Sequence, residues 1–152
     1  DETMRARERV AEIVDEMVFE LPGFRRPKVR EGDRTSYYFY GFRIVEEEMG
    51  VSYPQFAEAL NAEGIACKTE PIVPLYKYPI FAEGNTYGES HYPFVDEQGN
   101  RRIDYKSMHL PVIERELPGI GLVMSRSTDT DEDARDIGTG IRKVALHYSG
   151  RA

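Results

Sequence analysis

Apolar residues at Met4, Val10, Ile13, Val14, Met17 and Val18 recur close to every 3.6 positions, with Arg and Glu filling the other face. That pattern predicts one amphipathic helix over the first 20 residues. Leu21, Pro22 and Gly23 stop it, because proline cannot continue the ladder and glycine suits the exit. A helix opening at residue 1 without a capping residue reads as cut rather than started. Residues 24–35 are basic and turn-rich and read as a surface linker. The run S-Y-Y-F-Y-G-F-R-I-V (36–45) concentrates aromatic and β-branched residues and predicts a strand. Residues 46–50 turn. Ser52 with Gln55 three positions on predicts a capping box for a helix over 53–63, closed by Gly64. A short strand is expected at 65–70, then a proline-bracketed loop with one helical turn at 71–81.

Residues 82–106 show no periodicity and many Gly, Asn, Tyr and Asp. A loop of that length in a compact domain is usually functional or disordered. Its Tyr87, Tyr92, Phe94 and Tyr105 argue for packing against something. A short helix at 111–117, a strand at 119–125 and a final helix to about His147, capped by Thr130 with Asp133, complete the chain. The expected fold class is α+β, with a small three- to four-stranded sheet and helices packed on one face.

The composition narrows function by exclusion. The chain has 152 residues, 40% hydrophobic and 31% charged, which is globular and not disordered. A net charge of −7 argues against non-specific binding to nucleic acid or anionic membrane. One cysteine, Cys67, excludes an internal disulfide and any multi-cysteine metal site. No apolar run approaches a membrane span and no signal peptide precedes the first helix, so a cytoplasmic protein is expected.

His91, His109 and His147 have no metal-ligand spacing, and no metal is expected. Nothing surrounds a serine in the manner of a nucleophile elbow. Gly138 and Gly140 lie inside the last helix, where glycine serves close packing more often than phosphate binding. Cys67 reads as a buried structural cysteine. The segment 68–81 is different: Lys68, Glu70, Tyr76, Lys77 and Tyr78 stand among prolines that fix the backbone and leave little entropy to lose on binding. Tyrosine offers both a stacking face and a hydroxyl, which suits sugars and nucleotides. The competing reading is that Leu75, Tyr76, Ile80 and Phe81 plug the core. The two readings balance on the residues alone.

The order of these segments resembles the C-terminal part of the DegT/StrS family of PLP-dependent sugar aminotransferases. The resemblance runs through L-P-G-F-R-R-P, S-Y-Y-F-Y-G-F-R-I, Y-P-Q-F-A-E-A-L-N-A-E-G-I, P-L-Y-K-Y-P-I-F, N-T-Y-G-E-S-H-Y-P-F, L-P-V-I-E-R-E-L and T-D-E-D-A-R-D-I-G-T-G-I-R-K-V-A, and covers essentially the whole chain. It implies that residues 1–34 are an inter-domain helix and linker and that 35–152 are the small domain of a fold type I enzyme. Such an enzyme moves an amino group from Glu or Gln to a keto-sugar, often nucleotide-linked, or a keto-cyclitol. Its pyridoxal phosphate is held in the large N-terminal domain, absent from this chain, and the complete enzyme is expected to be a homodimer. No catalytic or cofactor-binding residue is carried over. None of Lys28, Lys68, Lys77, Lys106 and Lys143 matches the family's Schiff-base motif, so the chain alone is expected to be inactive. By position, Tyr37, Tyr38, Lys68, Glu70 and Tyr76 match substrate-facing segments. Two departures stand out: K-T-E-P-I-V-P-L-Y replaces a histidine-bearing loop, and Leu110 stands where Cys is frequent. A domain parted from its larger half should expose the apolar side of its first helix and its Tyr-rich loop, and associate through them. The alternative is a stand-alone small-molecule or protein-binding module using the Tyr-rich loop at 76–94.

Overall fold

The computed structural model describes residues 1–86 and 88–150; Tyr87, one of the loop tyrosines singled out above, lies outside them. Two compact units make up the chain: residues 1–71 with the stretch from 119 on, and residues 72–118.

In the first unit, helix α1 (Glu2–Val18) and helix α6 (Asp131–Tyr148) form the most extensive helix pair. The stripe Val10, Ala11, Val14 and Val18 is buried completely, with Ala134, Ile141, Val144 and Ala145 of α6 in the same core. This corrects one expectation: the apolar side of the first helix is not left open, because the last helix covers it. Close approach is allowed by Gly138, where a Cβ would lie 2.6 Å from Met17 Sδ. At the start of α6 the predicted cap forms. Thr130 Oγ1 accepts the Asp133 N–H at 3.2 Å, and the Asp133 carboxylate accepts the Thr130 N–H at 2.7 Å.

Strands β1 (Phe24–Arg25), β2 (Phe39–Ile44) and β3 (Ile120–Met124) form an antiparallel sheet in that order. Phe24 pairs with Ile44, and Phe39 through Arg43 run against Met124 back to Ile120. Side chains alternate across β2, so Tyr40, Phe42 and Ile44 are buried in the core shared with the helices. Phe42 stacks on Phe24 at 4.9 Å and meets Phe56 of helix α3 (Tyr53–Ala62) edge-on at 6.1 Å. Its ring lies across Gly121, where a Cβ would come within 2.2 Å.

Several local expectations change. The linker at 24–35 begins with β1, because Phe24 is the aromatic side chain in a basic stretch and buries itself beside Phe42. Residues 46–50 hold a single helical turn, α2 (Glu46–Met49), ended by Gly50 at φ 81°. Ser52 does not cap α3 through the backbone. Its hydroxyl donates to Gln55 Oε1 at 2.8 Å, and Glu46 accepts the Tyr53 N–H at 2.9 Å in its place. The strand expected at 65–70 shrinks to one bridge, Cys67 opposite Val123. The cause is Asn61, whose side-chain amide donates to the Cys67 carbonyl at 2.8 Å and accepts its N–H at 3.1 Å. Those two backbone groups are no longer available to a ladder.

The second unit contains a 3₁₀ turn at Leu75–Lys77, helix α4 (Pro79–Ala82) and helix α5 (Pro111–Glu116). The long aperiodic stretch is tied internally. Phe81, Phe94 and Tyr105 form a mutual edge-to-face cluster with centroids 5.5–5.9 Å apart. Asp96 accepts the N–H groups of Gln98 and Asn100, shaping a tight turn, and these bonds hold its carboxyl below the usual range. The Arg101 guanidinium donates to the carbonyls of Ala82 and Glu83 at the end of α4. Of the loop aromatics expected to pack, Phe94 and Tyr105 do so on each other and on Phe81, whereas Tyr92 is 68% exposed.

Candidate functional site

The residues expected to face a substrate fall on three segments. Tyr37 and Tyr38 immediately precede β2. Tyr37 sits at φ 42°, in the left-handed region that non-glycine residues seldom occupy, and packs part-buried against the core. Burial and the nearby Asp15 carboxylate push its phenol up. Tyr38 is 60% exposed, with the Arg7 guanidinium 5.4 Å from its ring centroid. Beneath them, Tyr40 donates to Asp15 Oδ1 at 2.6 Å, and the other oxygen of Asp15 pairs with Arg26. An open groove bounded by Phe19, Pro22, Arg26, Lys28 and Tyr37 runs along this side.

Lys68 and Glu70 are exposed on the segment after Cys67. The backbone at Cys67 and Lys68 is pinned from within, since the buried Tyr53 hydroxyl donates to the Lys68 carbonyl and Asn61 clamps Cys67. Burial pushes the Tyr53 phenol and the Cys67 thiol up. A raised thiol pKa disfavours the thiolate, so Cys67 is structural and a poor nucleophile.

Tyr76 belongs to the second unit and is only 7% exposed. Its hydroxyl donates to Glu114 Oε1 on α5, and the Lys77 ammonium lies 3.4 Å from the same oxygen. His109 Nδ1 stands 2.5 Å from Glu114 Oε2. The Tyr76 hydrogen bond, followed by Lys77 and His109, holds the Glu114 carboxyl low. Burial first, then Glu114, pushes the Tyr76 phenol up. A pocket of about 370 Å³ lined by Pro74, Tyr76, Phe81, Tyr105, Ile113 and Leu117 lies in this unit. Of the residues expected to plug the core, Tyr76 is packed, whereas Leu75 and Ile80 are 69% and 48% exposed.

Sequence reasoning assigned no role to Asn61, Tyr53 and Glu114, although Y-P-Q-F-A-E-A-L-N-A-E-G-I contains the first two and L-P-V-I-E-R-E-L the third. Among the described residues no group of three or more His, Cys, Asp or Glu could hold a metal ion, and no helix is long and apolar enough to cross a membrane.

No family model matches the sequence, and no curated protein matches it. Solved structures do match. The aminotransferase TlmJ from Streptoalloteichus hindustanus superposes with TM-score 0.68 at 20% identity, over 96% of this chain and 32% of its own. Helicobacter pylori PseC, an aminotransferase of pseudoaminic acid biosynthesis, gives TM-score 0.71 at 16% identity, over 96% of this chain and 33% of its own. A DegT DnrJ EryC1 StrS aminotransferase from Brucella abortus gives 0.62 at 20%, over 93% and 31%. The fold is that of a sugar-aminotransferase domain. The chain spans about a third of the length of the enzymes it matches.

An aminotransferase needs a lysine to carry pyridoxal phosphate and an acidic partner for its ring nitrogen. The five lysines of this chain are all exposed, with Lys77 beside Glu114 and Lys143 2.6 Å from Glu63. None is set in a cavity beside a buried carboxylate, so these residues do not fit the cofactor by themselves.

Proposed function

We propose that this chain is the C-terminal small domain of a PLP-dependent aminotransferase that transfers an amino group from Glu or Gln to a keto-sugar, often nucleotide-linked, or a keto-cyclitol. The observation that carries the reading is the match of nearly the whole chain to about a third of several sugar aminotransferases. In this reading residues 1–34 lead from a large N-terminal domain into the small one. That large domain supplies the lysine and the cofactor contacts, and the complete enzyme works as a cytoplasmic homodimer. The small domain contributes to the sugar side of the active site, through the ring faces of Tyr37 and Tyr38, the polar groups of Lys68 and Glu70, and the loop containing Tyr76. Tyr38, Lys68 and Glu70 are exposed, and the Lys68 carbonyl is held by Tyr53, which suits contact with a polar ring.

The test is chemical. The 152-residue chain mixed with pyridoxal phosphate should show no bound-cofactor absorbance band and no amino transfer from glutamate. The complete polypeptide, with the coding sequence upstream of Asp1 restored, should show both with a keto-sugar acceptor. A stop codon directly upstream, or a cofactor band from the 152-residue chain itself, would refute the proposal.

A further inference from the structure

We propose that Lys77 is the group of the 75–78 turn that meets a ligand, through an oxyanion such as phosphate or carboxylate, with Glu114 and Tyr76 as its positioning residues. This deepens the reading above and rests on the small domain facing a substrate.

Tyr76 is a poor direct contact. Its side chain is almost wholly buried and its hydroxyl is committed to Glu114. Lys77 is the reverse: its side chain is half exposed, yet its ammonium is held at two points. It lies 3.4 Å from Glu114 Oε1 and 5.8 Å from the centroid of the Tyr76 ring. A lysine ammonium has three N–H donors. One faces Glu114, which leaves two free toward solvent. A free surface lysine must lose rotamer freedom before it can hold an anion. Here part of that ordering is already supplied by the protein.

Glu114 suits a positioning role because its charge is shared out. Tyr76 and Lys77 occupy Oε1, and His109 Nδ1 faces Oε2 at 2.5 Å. Pro74 before the turn and Pro79 after it stiffen the backbone that carries the pair. The second observation pointing to a ligand is the pocket of about 370 Å³, which Tyr76 itself lines with Pro74, Leu75, Phe81 and Tyr105. Lys77 is not itself part of the pocket lining, but its ammonium is held near the ring of the lining residue Tyr76, which suits a ligand carrying both an anionic group and a ring.

The experiment turns on a sign. Removing the Glu114 carboxylate takes a negative charge away from the site, so electrostatics alone would tighten anion binding. Positioning predicts the opposite. Binding of uridine diphosphate and of L-glutamate to the 152-residue protein would be followed by two-dimensional NMR at low salt. We expect saturable shifts centred on Lys77 with at least one of them, and the stronger binder identifies the oxyanion as phosphate or carboxylate. K77A should weaken that binding about tenfold, the worth of one charge-assisted hydrogen bond, while K77R recovers most of it. E114A should weaken it several-fold, with E114Q, which keeps an acceptor for Tyr76 and Lys77, lying between. Amide exchange across 72–118 would show that each variant keeps its fold, and E114Q serves if E114A does not. Tighter binding by E114A or E114Q, no loss in K77A, or no saturable binding of either probe would overturn the assignment. A chain that binds as described but comes from a polypeptide without amino-transfer activity would refute the proposed function and leave the Lys77 site standing.

Discussion

Tyr40 gives the sharpest quantitative test of the packing around β2. The side chain is 2% exposed and its hydroxyl donates to Asp15 Oδ1 at 2.6 Å. Burial first, and then the Asp15 carboxylate, push its pKa far above the ordinary tyrosine value. A group whose folded pKa is raised contributes stability that is complete below its unfolded pKa of about 10 and is lost as pH rises toward the folded value. At pH 8, Tyr40→Phe should cost about 1.5 kcal/mol, the low end for a hydrogen bond to a charged group, because Asp15 keeps Arg26. At pH 11 the unfolded phenol is largely ionised while the folded one is not, which removes about 1.4 kcal/mol from the wild-type protein and nothing from the variant. The two should then be nearly equal in stability. Urea unfolding followed by far-ultraviolet circular dichroism at both pH values, each protein against the other, isolates this one group. A difference that stays constant from pH 8 to pH 11, or grows, would show that the Tyr40 hydroxyl is not buried against Asp15.

Three further outcomes can be measured by thermal or chemical unfolding. Asn61→Ala removes two bonds to Cys67 and one to the Ala57 carbonyl. It should cost about 2 kcal/mol, roughly 4–8 °C in Tm, and Asn61→Asp should fare no better because a carboxylate cannot donate. Gly121→Ala drives a Cβ into the Phe42 ring and should cost about 1–3 kcal/mol. Adding Phe42→Leu should then cost less than it does in the wild-type background, and strictly additive losses would contradict the close approach. Thr130→Ala should cost about 1 kcal/mol and speed amide exchange at Asp133, which loses its acceptor.

The long elements were legible because their physics is periodic. The stripe from Val10 to Val18 and the alternation of Tyr40, Phe42 and Ile44 each state which side is buried before any partner is known. Elements made by one contact were hidden. β1 exists because Phe24 finds Phe42, and the missing fourth strand is absent because Asn61 takes the backbone groups of Cys67. The stretch 82–106 looked structureless because its organising contacts join Phe81, Phe94 and Tyr105, whose spacing has no helical or strand period. At the candidate site, residue type pointed to Tyr76, but Glu114 lies 38 positions away and nothing local announces it. Residue type also overstated Tyr76 as a contact, since a tyrosine can stack only with the face it leaves uncovered.

The pairing of β2 with β3 sets the order in which this molecule can be made. Arg43 faces Ile120, so the sheet cannot close until 77 residues of chain separate its two partners. By loop-closure entropy alone that join costs on the order of 4 kcal/mol beyond its fixed part. The helices repeat the theme, since α1 precedes α6 by more than 110 residues and waits for it to cover Val10, Val14 and Val18. A nascent chain therefore carries a bare apolar stripe from the synthesis of α1 until α6 has emerged. Such a chain should fold in one late step and lean on chaperones until then.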